Sequence, residues 1–171
     1  MLKSGIIIIK KMRKNRMINR AVFWGMTALL FSVQLPTQAE TCTPLSLVGG
    51  QGSEVTKIVS GPTIPGPFGI KVKRNNWNTD WAVPGGRKFQ RFVATIVSEN
   101  GGSFDIRMFL KYSDQTAEEF FNQNGKRLEP GTPLKIEATP RPEDNPFQAN
   151  VFVNGLPAIG QTYRASVVGC L

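Results

Sequence analysis

The chain alternates apolar and polar residues in short runs, separated by Gly, Pro, Asn and Asp. The two longest runs are adjacent: KFQRFVATIVSEN, from Lys88 to Asn100, and GGSFDIRMFLKY, from Gly101 to Tyr112. Both are rich in β-branched and aromatic residues and lack a helical period, so both predict strands. Asn100-Gly101 suits a two-residue hairpin turn, because both central residues of a type I′ turn need positive φ. Folded there, Val97 opposes Phe104, Thr95 opposes Ile106, Val93 opposes Met108 and Phe89 opposes Tyr112, all on one face that is apolar apart from Arg91 opposite Leu110. A slip of one residue sets Val97 against Asp105, so the pattern selects this register. A turn at Gly101-Gly102 keeps the same face parity, and the sequence does not choose between the two turns. The second face of this expected hairpin is mixed. It pairs Phe92 with Phe109 among Asp105, Arg107 and Lys111, and is expected to be only partly covered.

The remaining runs are shorter. Ser53 to Ser60, Phe68 to Lys73, Trp77 to Val83, Leu134 to Thr139, Phe147 to Asn154 and Gln161 to Val168 each alternate as half-buried strands do. Thr43 to Gly52 reads as an entry strand with a flexible turn. Gly61 to Gly69 holds three Pro and three Gly, which rules out a central strand. Thr116 to Gln123 fits either a short helix capped by Thr116 or a strand, and its strand-rich surroundings favour the strand. Three Asn-Gly and three Pro-Gly dipeptides punctuate the series. Eight or nine short strands of this kind predict a single antiparallel β-sandwich, immunoglobulin-like in general architecture, over residues 40–171. A small closed β-barrel is the alternative.

Charge changes the picture only at the N-terminus. The net charge is +9, but seven of the 21 Lys and Arg precede Ala21, and no acidic residue occurs before Glu40. From Glu40 onward 14 basic and 12 acidic residues leave +2. The body therefore carries no nucleic-acid footprint. The leader has a basic segment (1–20), an apolar segment (Ala21 to Leu35), then Pro36 and the small-residue site Thr37-Gln38-Ala39. This layout predicts a signal peptide cleaved after Ala39, with Met1, Met12 or Met17 as the start. Fifteen apolar residues are fewer than the roughly 20 that span a bilayer. No stable membrane span is expected after cleavage, and export to the periplasm or beyond is. Cys42 and Cys170, near the two ends of the exported chain, then predict a disulfide.

The candidate chemistry is sparse. The chain has no His, which removes Ser-His-Asp and Cys-His nucleophile systems and the common zinc sites. No phosphate-binding loop is present, so neither a cofactor nor a metal is expected. Asp80, Asp105, Asp114, Glu118 and Glu119 lack the convergence that glycoside hydrolysis needs. Pro142-Glu143-Asp144-Asn145 lacks the spacing of a calcium loop. Trp77 and Trp81, four apart on one strand face, with Asn78 and Asp80 on the other, form the candidate ligand site. Indoles stack on sugar rings, and Asn and Asp supply hydrogen bonds. The competing reading places both indoles in the core. Lys71, Lys73 and Arg74 offer a small anion patch or a solvated strand face. The composition points to a non-catalytic exported protein that works by binding or in envelope or extracellular assembly. Its partner would be a glycan or another envelope protein. A carbohydrate-binding or weakly carbohydrate-active module is the second reading, and an enzyme inhibitor presenting Gly61 to Gly69 the third.

Overall fold

The computed structural model describes residues 40–62, 64–66, 71–73 and 75–171. The leader, Arg74, and Phe68 and Ile70 of the expected strand lie outside them. Twelve strands occur among the described residues: β1 (Cys42–Pro44), β2 (Ser46–Leu47), β3 (Glu54–Ile58), β4 (Ile64–Pro65), β5 (Lys71–Lys73), β6 (Asn78–Ala82), β7 (Arg91–Ser98), β8 (Gly102–Lys111), β9 (Ala117–Leu128), β10 (Pro133–Ala138), β11 (Gln148–Asn154) and β12 (Thr162–Cys170). Eight of them have five residues or more, which matches the expected number of substantial strands. Thr116 to Gln123 enters a strand, as its setting favours.

Two antiparallel sheets face each other. Sheet A runs β1-β12-β7-β10, and β3 joins β12 alongside β1. Sheet B runs β2-β6-β11-β8-β9. The sheets keep open edges, so the fold is a sandwich and not a closed barrel. β4 and β5 form a separate two-stranded ribbon. Alternation builds the interior. β7 buries Phe92, Ala94 and Ile96, and β8 buries Phe104, Ile106, Met108 and Leu110. β11 and β12 add Ala149, Val151, Val153, Tyr163, Ala165 and Val167. Each large apolar side chain buried in this way contributes roughly 1.5–3 kcal/mol.

The expected hairpin of β7 on β8 does not form. β7 pairs with β12 and β10 in sheet A, whereas β8 pairs with β11 and β9 in sheet B. The connection Glu99–Gly101 is an arch that carries the chain from one sheet to the other. Strands joined by an arch face each other through the core, so their inward residues share parity instead of summing to a hairpin register. Phe92, Ala94 and Ile96 are therefore core. Val93, Thr95 and Val97, expected inside, are only partly buried and face outward. Asn100 does not take the positive φ of a type I′ turn. Gly101 and Gly102 do, at 74° and 132°. A Cβ on Gly101 would lie 3.0 Å from the Leu128 carbonyl oxygen, because the β9–β10 connection packs on the arch. The Ser98 hydroxyl donates to the Gly101 carbonyl at 2.9 Å, and the Gly131 N–H donates to the Ser98 carbonyl at 2.8 Å. Ser98 thus fastens both inter-sheet crossings.

Asn124-Gly125 is not a turn either. It lies within β9, where the register against β8 shifts between Phe104 and Ile106. Gly125 has φ 65°, and its N–H donates to Asp105 Oδ1 at 2.7 Å. This is a bulge, which needs the same glycine conformation as a turn without reversing the chain.

Cys42 and Cys170 form a disulfide across a loop of 128 residues, with Cα atoms 4.0 Å apart. They are directly opposite in the β1–β12 ladder.

Candidate functional site

The side chains that point away from the core on sheet B form rows across four strands. Pairing places Ala82, Gln148, Lys111 and Ala117 in one row. Asp80, Asn150, Phe109 and Glu119 form the next, and Asn78, Phe152, Arg107 and Asn122 the third. Neighbouring rows are about 7 Å apart and neighbouring strands about 5 Å. The face thus carries two phenyl rings, Phe109 and Phe152, in diagonal positions among amides and charges. Sheet A differs. Its outward positions on β7 and β12 are Arg91, Val93, Thr95, Val97, Thr162, Arg164, Ser166 and Val168, with no aromatic ring.

A polar network fixes the centre of the sheet B face. Lys111 Nζ donates to Asp80 Oδ1 at 2.9 Å, and Asn150 Nδ2 donates to the same oxygen at 2.7 Å. Asn150 is buried, at 4% exposure, and also donates to the Thr79 carbonyl. Asp80 Oδ2 has no hydrogen-bond partner among the described residues, which leaves it as an acceptor. The network links β6, β11 and β8, so the polar groups beside Phe109 are held by a preformed frame.

The rim is built from the segment before β6. The Asn76 side chain and the Ser60 side chain bond each other's backbone N–H groups, at 3.1 and 3.0 Å. Asn76 Nδ2 donates to the Ile58 carbonyl at 2.8 Å. Lys57 Nζ crosses from β3 to the Asn76 and Asn78 carbonyls and the Thr79 hydroxyl, at 3.0, 2.8 and 2.7 Å. Burial lowers the Lys57 pKa, partly offset by Asp80. Held by this stitching, Trp77 donates its indole N–H to the Ser60 carbonyl at 2.8 Å. It packs edge-on against Phe152, with ring centroids 5.9 Å apart.

The four expected site residues separate. Asn78 and Asp80 lie on the sheet B face. Trp77 is half-buried at its rim. Trp81 is fully buried and donates its indole N–H to the Ser53 carbonyl at 2.9 Å. It is a core residue, so the paired-indole platform does not form. The odd positions of β6, Thr79 and Trp81, point into the sandwich and are buried. The residues missing from the sequence reading are Asn150 and Phe152. Their signal was the alternation of β11, which puts a Phe among Gln148, Asn150 and Asn154.

One end of the face opens into a cleft of about 420 Å³ lined by Lys111, Tyr112, Ser113, Gln115, Thr116, Ala117 and Phe147. Phe147 is 52% exposed. Gln115 holds φ 68°, the only positive φ among the described non-glycine residues. Arg141 braces this turn. Its guanidinium lies 4.1 Å from the Tyr112 ring centroid, and it donates to Glu118 at 2.6 Å and to Asp114 at 3.1 Å. Hydrogen bonds from Thr116 hold Asp114 below the usual carboxylate range. Glu40, Cys42 and Cys170 also gather closely, but both sulfurs are spent in the disulfide and offer no thiolate.

The fold defines an antiparallel β-sandwich closed by a disulfide, with one aromatic and polar sheet face. No family model matches the chain, and no curated protein matches it. Among solved structures, a family 29 carbohydrate-binding module matches with a TM-score of 0.41 at 11% identity, covering 78% of this chain and 90% of that one. A mutant of such a module complexed with mannohexaose matches with a TM-score of 0.40 at 11% identity, covering 78% and 93%.

Proposed function

We propose that the chain is an exported, non-catalytic binding protein whose ligand is a glycan, seated on the outer face of sheet B. The observation that carries this reading is the juxtaposition of Phe109 and Phe152 with the Asp80–Asn150–Lys111 network. Sugar rings present apolar C–H faces and a rim of hydroxyls. A site for them therefore combines flat apolar area with fixed donors and acceptors. The face supplies both, and its polar groups are already bonded to one another, which lowers the ordering cost of binding. The basic and apolar leader, with a small-residue site at Ala39, supports export, and so does the Cys42–Cys170 bridge, which suits an oxidising compartment. Export itself is tested by the N-terminus of the protein recovered outside the cytoplasm, expected at Glu40.

The binding test is affinity electrophoresis and calorimetry of the mature protein against a panel of soluble polysaccharides. Binding to at least one polymer is expected, weakened about tenfold or more by Phe109→Ala and unchanged by Val93→Ala on sheet A. Absence of binding to every polymer, or equal loss from the two variants, would overturn the reading.

A further inference from the structure

Resting on that glycan-binding reading, we infer that the sheet B face selects sugar chains bearing an oxyanion, with Arg107 as its seat. Three of the six described arginines have carboxylate partners, and two more, Arg87 and Arg127, are exposed to solvent. Arg91 pairs with Glu40 and Glu137, Arg141 with Glu118 and Asp114, and Arg164 with Glu54. Arg107 differs. Among the described residues, no carboxylate oxygen lies within 4.0 Å of its guanidinium. Its Nε is buried and has no acceptor.

The acids nearest to it on the face are engaged elsewhere. Asp80 receives Lys111 and Asn150. Asp105 Oδ1 accepts the Gly125 N–H at 2.7 Å. Glu119 Oε2 accepts Asn122 Nδ2 at 3.1 Å. Arg107 instead sits over the Phe152 ring, 5.6 Å from its centroid. Its cross-strand neighbours are Phe152 and Asn122, both uncharged.

Leaving an arginine with a sealed, unmet donor is costly, because an unsatisfied buried donor loses its hydration without return. The two Nη groups have no partner among the described residues and are not sealed, so an oxyanion can reach the guanidinium there. The guanidinium offers a planar fork that matches carboxylate and sulfate oxygens, and ring stacking below holds it in place. The ring that stacks under Arg107 also belongs to the proposed sugar platform. A sugar on that platform brings its substituents beside the cation. The ligand class is therefore a uronic-acid or sulfated polysaccharide.

The test uses two matched pairs: polygalacturonate with its methyl ester, and dextran sulfate with dextran. The mature protein is titrated with each polymer, as wild type and as Arg107→Gln, Arg107→Lys and Phe109→Ala. The expected result is a preference of tenfold or more for the charged member of at least one pair. Arg107→Gln should erase it, Arg107→Lys should keep part of it, and circular dichroism should show all variants folded. The responding pair identifies the group as carboxylate or sulfate. Equal binding within both pairs overturns the inference, as does a preference that survives Arg107→Gln. Either result leaves the glycan reading standing where binding still depends on Phe109. No binding to these polymers by any form overturns the inference, and only a failure on the full neutral panel as well overturns the reading beneath it.

Discussion

The Nδ2 of Asn150 donates to Oδ1 of Asp80 at 2.7 Å across the β6–β11 ladder. The same oxygen takes Lys111, so one carboxylate organises three strands. Asn150→Ala should remove two hydrogen bonds at a buried position and lower the unfolding free energy by about 1–2 kcal/mol. Asp80→Asn keeps the shape and loses the ion pair with Lys111. Such partly exposed pairs contribute only about 0–1 kcal/mol, so its stability should barely change while ligand affinity falls. Denaturant unfolding and polysaccharide titration of both variants check this. Equal loss of stability in the two would show that the network is structural alone.

The arch between the sheets should be sensitive to a single methyl group. Gly101→Ala meets both a positive φ and a backbone oxygen at 3.0 Å. A left-handed backbone costs an L-residue roughly 1–2 kcal/mol, and the clash adds to it. Ser98→Ala leaves the Gly101 carbonyl unpaired in the interior and should cost about 1–3 kcal/mol. Thermal unfolding of the two variants measures both effects. A Gly101→Ala protein as stable as wild type would contradict the arch.

Alkali should weaken the fold through Tyr163. Burial pushes its phenol up to about 12, and the nearby Thr79 hydroxyl offsets part of that rise. An unfolded phenol has a pKa of about 10. The neutral native phenol therefore contributes its full stability below pH 10. That contribution falls by about 2–3 kcal/mol as the pH rises to 12, since each unit is worth about 1.4 kcal/mol. Unfolding curves from pH 9 to 12 should show the decline, and Tyr163→Phe should flatten it. A decline of the same size in Tyr163→Phe would assign it to another group.

Reduction should destabilise the domain strongly. Closing a loop of 128 residues is worth about 4–5 kcal/mol in the chain-entropy model. The Cys42→Ser and Cys170→Ser double variant should lose a comparable amount in denaturant unfolding at neutral pH. A loss under 1 kcal/mol would mean that the ends stay ordered without the bridge.

The strands were legible because alternation reports burial directly. Ala149, Val151 and Val153 are inside, and Gln148, Asn150 and Phe152 are out, as the sequence places them. The arch was not legible. Asn-Gly marks a change of direction but not whether the flanking strands then bond to each other. β7 is also apolar at both parities, Phe92-Ala94-Ile96 against Val93-Thr95-Val97, so alternation alone could not choose its inner side. Half of the site could be read locally: Asn78 and Asp80 from β6, and Arg107, Phe109 and Lys111 from the mixed face of β8. Asn150 and Phe152 arrive from a strand some forty residues away, and Trp81 could be placed in the core only once β6 had a position in the sandwich.

The arch also bears on how the molecule assembles. Within the two sheets, β8 and β9 are the only successive described strands that hydrogen-bond to each other. β12 must find β1, β3 and β7, and β11 must find β6. Chain closure over such separations comes before any return from contact, which makes folding slow and strongly cooperative. Nearly every crossing ties a strand of one sheet to a strand of the other, so the two sheets are interleaved along the chain. Sheet A in particular is incomplete until β12 (Thr162–Cys170), which holds β1, β3 and β7 together, is available to the folding chain.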